Sequence, residues 1–258
     1  MNKAITRRDA LTFAGGGAVA AIFGGRLVSE EDYPGVLRLD TIFGIQVGRC
    51  GGTHVGDGVV VTAAHCIQDK GVTDLRFRGR PVERVDGQLK AFVPASYVRA
   101  GLEEDYGYIV DPYLVGKPAM PVATEAMYAD LRARVQGGER VGALAVGYGT
   151  TRLDELGRPT DVSDGLKAID MEITEATREK IVIRDPRQQG GSCVGDSGSA
   201  LLIDGHIFGV TSSVEHNPNT GQHCDTRGWP ATYRSLESRL DEMRAMQAAA
   251  RKFYGAGV

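Results

Sequence analysis

The chain reads as an all-β protein closed by one C-terminal helix, and three observations carry that reading. Glycine is the compositional outlier, 35 of 258 residues, roughly twice ordinary usage. It follows neither a collagen period nor a glycine–serine linker, so it marks many tight turns between many short strands. Short apolar or alternating segments recur along the chain, and only the last stretch has helical spacing.

Taken in order, Gly58-Val59-Val60-Val61 is a short apolar run bounded by turn residues, suited to a strand buried on both faces. Ile169-Asp170-Met171-Glu172-Ile173-Thr174 and Lys180-Ile181-Val182-Ile183-Arg184 alternate apolar and polar, as half-buried strands do. Asp204-Gly205 precedes the apolar run His206-Ile207-Phe208-Gly209-Val210 and signals a hairpin. Leu236, Leu240, Met243, Met246 and Ala250 recur at three- and four-residue steps, the apolar face of a helix. No repeat, low-complexity tract or linker interrupts residues 22–258, which read as one domain.

Residues 1–21 stand apart. Lys3, Arg7 and Arg8 precede an apolar stretch from Ala10 and the small-residue end Val19-Ala20-Ala21, the order of an export signal. Thr6-Arg7-Arg8-Asp9-Ala10-Leu11 follows the twin-arginine pattern except at Ala10, where a large apolar residue is usual; a general-export signal is the other reading. Either places the mature chain outside the cytoplasm of a bacterium-like cell, secreted or periplasmic. The full chain has 30 Lys+Arg against 33 Asp+Glu, net −3; without residues 1–21 these become 27 against 32, net −5. With no basic stripe, a dedicated nucleic-acid partner is excluded. Contents of 42% hydrophobic and 24% charged residues are those of a folded chain. No apolar run reaches the roughly 18 residues of a membrane span, so no stable membrane insertion is expected.

Cys50, Cys66, Cys193 and Cys224 allow three pairings, and an exported chain favours disulfides over thiols. The pairing with the shortest loops, 50–66 and 193–224, would stabilise by roughly 3–4 kcal/mol per bridge. Beside His54, His65 and His223 these cysteines are also zinc-type ligands, but no C-x-x-C or H-E-x-x-H spacing occurs, so no metal is expected. Nor does a calcium-ligand loop stand between Gln68 and Arg80, and no cofactor is implied.

Three stretches carry chemistry: Thr62-Ala63-Ala64-His65-Cys66, Asp105-Tyr106-Gly107-Tyr108-Ile109-Val110 and Gly195-Asp196-Ser197-Gly198. Singly, each has a bland reading: a structural histidine, a solvated turn acid, a turn made of turn formers. Together, in the order His, Asp, Ser, they resemble the trypsin/chymotrypsin family of serine endopeptidases. Cys50-Gly51-Gly52 with Cys66 resembles the disulfide that brackets the family's histidine, and Cys193-Val194-Gly195-Asp196-Ser197 its nucleophile segment, whose cysteine pairs with one after the next strand, here Cys224. Phe92-Val93-Pro94-Ala95-Ser96-Tyr97, Gly147-Tyr148-Gly149 and Trp229-Pro230-Ala231-Thr232-Tyr233 are weaker echoes, and the resemblance spans about residues 22–240.

The resemblance implies two packed six-stranded Greek-key barrels with the site between them, and a monomer acting on protein or peptide substrates. It implies a triad of His65, Asp105 and Ser197, and an oxyanion hole from the backbone N–H groups of Gly195 and Ser197. Ile22-Phe23-Gly24-Gly25 resembles the family's activated N-terminus, so Ile22 would pair with Asp196, and signal removal after Ala21 would convert a zymogen to enzyme. Gly191, Ser192, Ser212, Val214 and Ala231 fall at substrate-pocket positions. The neutral Gly191 and the valine rim imply cleavage after small or medium apolar residues. Two departures stand out: Ser199-Ala200 replace the usual Gly-Pro after the nucleophile, and Ser213 replaces a groove tryptophan. A catalytically silent binding protein on the same scaffold is the alternative.

Overall fold

A computed structural model of the chain describes residues 22–43, 46–68, 71–77, 80–81, 90–94, 97, 101–153, 159–162, 165–214 and 230–254. Strand β1 (Arg26–Leu27) opens this region. The first lobe is an antiparallel sheet of β2 (Val36–Phe43), β3 (Gln46–Gly56), β4 (Val59–Thr62), β5 (Gly71–Phe77), β6 (Arg80–Pro81), β7 (Lys90–Phe92) and β8 (Gly107–Val110), in the order β6-β5-β2-β3-β4-β8-β7. The second contains β9 (Val141–Gly147), β12 (Lys167–Ala176), β13 (Lys180–Arg184), β14 (Ala200–Ile203), β15 (His206–Val214) and β16 (Ala231–Ser235). These six run β12-β13-β16-β15-β14-β9 and close into a barrel where β9 returns to β12, from Val141↔Ile173 to Gly147↔Lys167. β1 adds to the outside of β12, and β10 (Thr150–Leu153) pairs with β11 (Pro159–Val162) as a separate ribbon. The all-β expectation holds. The closed barrel is the second lobe; the first is a seven-stranded sheet with no closing ladder among the described residues.

Side-chain alternation explains the strands. In β4 all four residues are buried, because Val60 packs with Leu37, Leu39 and Ile109 while Val59 and Val61 enter the larger core on the other face. β12 and β13 alternate buried and exposed positions, as their sequences require. Asp204 and Gly205 take φ of +47° and +78°, the left-handed pair of a two-residue hairpin, and Asp57-Gly58 repeats that turn between β3 and β4.

Helix α1 (Ala64–Ile67) is a single turn after β4. Helix α2 (Glu125–Gln136) was not legible in the sequence: it buries only Tyr128 and Leu131, too short an apolar pattern to show a period. Its start is capped by the Thr124 hydroxyl, which accepts from the Met127 N–H at 3.3 Å. The predicted terminal helix is α3 (Leu240–Tyr254), preceded by a 3-10 turn, Glu237–Arg239. Leu236, Leu240, Met243 and Ala250 are buried as expected, and Met246 partly so. No helix among the described residues is long and apolar enough to cross a membrane.

Candidate active site

His65 sits where β4 runs out. Its segment turns into α1, and the Cys66 N–H donates to the Ala63 carbonyl at 3.1 Å. The Cys50–Cys66 disulfide anchors this turn to β3. Both sulfurs are in that bond, which leaves no thiolate in the Cys50, His65, Cys66 cluster to hold a metal. Cys193 is disulfide-bonded as well, while its predicted partner, Cys224, lies outside the described residues.

Asp105 lies just before β8 and is wholly buried. Among the described residues it receives three hydrogen bonds: the His65 backbone N–H to Oδ1 at 3.0 Å, His65 Nδ1 to Oδ2 at 2.8 Å, and the Ser212 hydroxyl to Oδ2 at 2.7 Å. These donors offset the cost of burying the carboxylate. A carboxylate only accepts, so Nδ1 carries the imidazole proton and Nε2 keeps its lone pair for the cleft. The acid is fixed from behind as well: Arg239 pairs with Glu104 and lies over the Tyr106 ring, 5.1 Å from its centroid. The turn leading into α3 thus clamps both neighbours of Asp105.

Ser197, half-buried, stands on the loop joining the 190s to β14. The loop is tied to the first lobe by the Gly51 N–H, which donates to the Ser197 carbonyl at 2.7 Å, and the Gly51 carbonyl in turn accepts from Thr62 Oγ1 at 2.7 Å within that lobe. Gly195 has φ of +92° and Gly198 of +77°, and a Cβ on Gly198 would lie 2.2 Å from Thr62 Oγ1, so only glycine fits between the lobes there. The turn is closed by the Asp196 N–H to the Cys193 carbonyl and the Ser199 N–H to the Asp196 carbonyl. The N–H groups of Gly195 and Ser197 have no acceptor among the described residues. His65, Gly195 and Ser197 line one cleft of about 240 Å³, with Arg49, Cys50, Cys193, Val194 and the β15 segment Thr211–Val214.

Asp196 points away from the cleft. It is wholly buried, its oxygens accepting from the Gly149 N–H at 2.8 Å and the Cys193 N–H at 3.0 Å. Burial pushes its pKa up to about 7, against the lowering effect of those two donors. Cβ atoms on Gly147 and Gly149 would lie 2.4 and 2.3 Å from this carboxylate, which is why glycines flank Tyr148. The departure at Ser199 is accommodated in the same way: its buried Oγ, without a hydrogen-bond partner among the described residues, occupies space left by Gly51 and Gly147.

Ile22 is buried, and the Phe23 carbonyl accepts from the Gly191 N–H at 2.8 Å. The segment that follows is held by the Val28 N–H to the Leu166 carbonyl and by Tyr148 Oη donating to Glu30 at 2.9 Å. Of the pocket positions expected from sequence, Ser212 and Val214 line the cleft. Gly191, Ser192 and Ala231 are buried behind it, Ser192 Oγ being 2.6 Å from Tyr233 Oη and Ala231 paired in register with Val214. The Ser212 hydroxyl as a ligand of Asp105 was not foreseen, because nothing local in the sequence ties residues 107 positions apart.

The trypsin family model matches residues 38–227. Mouse (Mus musculus) neutrophil elastase is 27% identical over 227 residues, covering 83% of this chain and 80% of that protein. Trypsin of Saccharopolyspora erythraea is 25% identical over 228 residues, covering 85% and 95%. Among solved structures, HL collagenase superposes with a TM-score of 0.66 at 15% identity, over 88% of this chain and 99% of that one, a likeness of fold. With the matched region running from β2 through β15 and taking in every residue that lines the cleft of His65 and Ser197, the chain belongs to the trypsin family of serine proteases.

Proposed function

We propose that this chain is an exported serine endopeptidase with the triad His65, Asp105 and Ser197. The observation that carries the reading is the buried Asp105 carboxylate holding both the backbone and Nδ1 of His65, with Nε2 left to share a cleft with Ser197. His65 takes the Ser197 proton as Oγ attacks the scissile carbonyl, then passes it to the leaving amine. The imidazolium formed in between is stabilised by Asp105. The N–H groups of Gly195 and Ser197 donate to the developing oxyanion, each such donor being worth about 3 kcal/mol. The acyl-enzyme is then hydrolysed by water through the same groups in reverse order.

In this reading the Ser212 carbonyl receives the residue before the scissile bond, and Val214 limits its size. No acidic side chain lines the described cleft, so a Lys or Arg there would lose solvation without a counter-charge. Turnover of an Ala or Leu ester is therefore expected to exceed that of an Arg ester by at least about tenfold. A faster Arg ester would overturn the preference and leave the triad standing.

Gly149 tests the loop itself. Gly149→Ala would drive a methyl group into the Asp196 carboxylate, displacing the turn that aims Ser197 and its N–H. A turnover loss of about 100-fold is expected, with far-UV circular dichroism unchanged. The decisive test of the whole proposal is fluorophosphonate labelling of the mature protein with N-terminal sequencing of the labelled band. Folded protein that begins at Ile22 yet stays unlabelled would overturn it in favour of a silent scaffold.

A further inference from the structure

Three consecutive residues of the first lobe, Glu104, Asp105 and Tyr106, are each gripped by the second lobe or by the turn that leaves it. The Glu104 carboxylate pairs with Arg239. Asp105 accepts from the Ser212 hydroxyl on β15 at 2.7 Å. Tyr106 is buried, and its hydroxyl donates to the Glu179 carbonyl, between β12 and β13, at 3.3 Å. That carbonyl also accepts from the Ser235 N–H at the end of β16, at 3.0 Å. The chain then enters the 3-10 turn Glu237–Arg239, and Arg239 reaches back over the same segment.

The guanidinium suits that place. It lies 5.1 Å from the Tyr106 ring centroid while it pairs with Glu104, so one planar cation touches the residues on either side of Asp105. Its other arm meets Glu242 on α3 at 3.5 Å. The Arg239 side chain is 20% exposed and that of Glu104 32%, so solvent screens their pair less than one in open water. Asp105 must keep one oxygen on the His65 backbone and the other on its ring. A small rotation of the Glu104–Tyr106 backbone would break that double hold, and misplacing a catalytic group by about 1 Å can cost on the order of 100-fold. We infer that Arg239 is a positioning residue of the triad: through Glu104 and Tyr106 it sets the orientation of the Asp105 carboxylate, and so makes turnover depend on the turn that leads into α3. This rests on the serine endopeptidase reading of the cleft.

The test uses the mature protein and two readouts: kcat and KM for an Ala or Leu ester, and solvent exchange of the His65 Nδ1 proton by NMR, assigned with His65→Ala. The second readout needs no turnover. Arg239→Met keeps a long apolar side chain and removes the charge. It should lower kcat by about tenfold with KM within about twofold, and speed exchange of the Nδ1 proton by about tenfold. Glu104→Gln should act in the same direction, and the double variant should lose no more than Arg239→Met alone. Arg239→Lys, which returns a cation to Glu104, should recover part of kcat. Glu237→Gln alters the same turn but removes pairs with Arg132 and Arg178, so it should lower the unfolding temperature and leave kcat and the proton unmoved. Should Arg239→Met fail to fold, Glu104→Gln and Arg239→Lys carry the comparison. Folded variants at Arg239 and Glu104 with kcat and proton exchange unchanged overturn this inference alone. An equal loss of kcat in Glu237→Gln overturns it as well, because the effect then belongs to the whole turn. A wild type with a protected Nδ1 proton but no ester turnover overturns the protease reading, and the exchange rates still decide whether Arg239 positions Asp105.

Discussion

Replacing Ser197 with alanine is expected to lower turnover by about 10⁶-fold while leaving the fold intact. In the proposed mechanism the loss is large because Ser197, His65 and Asp105 act as one unit. Without Oγ there is no acyl-enzyme, and the His65–Asp105 pair has nothing to activate. The residual rate should remain above that in water, because the N–H groups of Gly195 and Ser197 and the substrate contacts survive. Stability should barely change. Ser197 is bound through its carbonyl to the Gly51 N–H, a contact alanine keeps. Single-turnover assays of the variant beside the wild type, with thermal unfolding of both, read the two effects separately. A variant retaining a tenth of the wild-type rate would rule out Ser197 as the nucleophile.

The second large effect follows from a proposal, that cleavage after Ala21 frees the Ile22 ammonium to pair with Asp196. In the uncleaved chain Ile22 carries an amide, and no cation contacts the Asp196 carboxylate among the described residues. Its pKa of about 7 lies above the unfolded value of 3.8, so the folded precursor binds a proton that the unfolded chain has released. Precursor stability should therefore fall as pH rises from about 4 to 7, by on the order of 4 kcal/mol, and level off above that. A free Ile22 ammonium beside Asp196 would pair with the carboxylate, lower its pKa and remove this loss. The mature chain should accordingly be the more stable form at pH 8, with the gap closing toward pH 4. A chain with one extra alanine before Ile22 should lose about 10²- to 10³-fold in kcat/KM, the cost of leaving a buried charge uncompensated next to the oxyanion loop. Thermal unfolding against pH for precursor, mature and Ala-extended chains checks both statements. Equal activity of the extended and mature chains would separate Ile22 from activation.

Much of the fold was legible because the period of burial is written residue by residue. β4, β12, β13 and β15 each appear where alternation or an unbroken apolar run requires them, and the Asp204-Gly205 turn lies at its pair of left-handed residues. Helix α2 escaped because two buried side chains, Tyr128 and Leu131, do not make a pattern. The resemblance supplied the candidate triad but not the partners that fix it. Ser212 reaches Asp105 from β15, and Arg239 holds Glu104 from the turn before α3; both lie over a hundred residues away in sequence.

By itself, then, the sequence determined the residue types: strands from alternation or unbroken apolar runs, a turn from Asp204-Gly205, and a candidate His, Asp, Ser set through the family that three short motifs resemble. Only the tertiary structure decided which of them meet. Burial of Asp105 and Asp196, the seating of Gly198 against Thr62 and the place of Arg49 on the cleft wall all depend on two lobes closing on one loop. The physical reason is that hydrogen-bond reach and dielectric environment belong to neighbours in space. The chemical identity of a side chain sets what it can donate or accept, and packing sets whether it must.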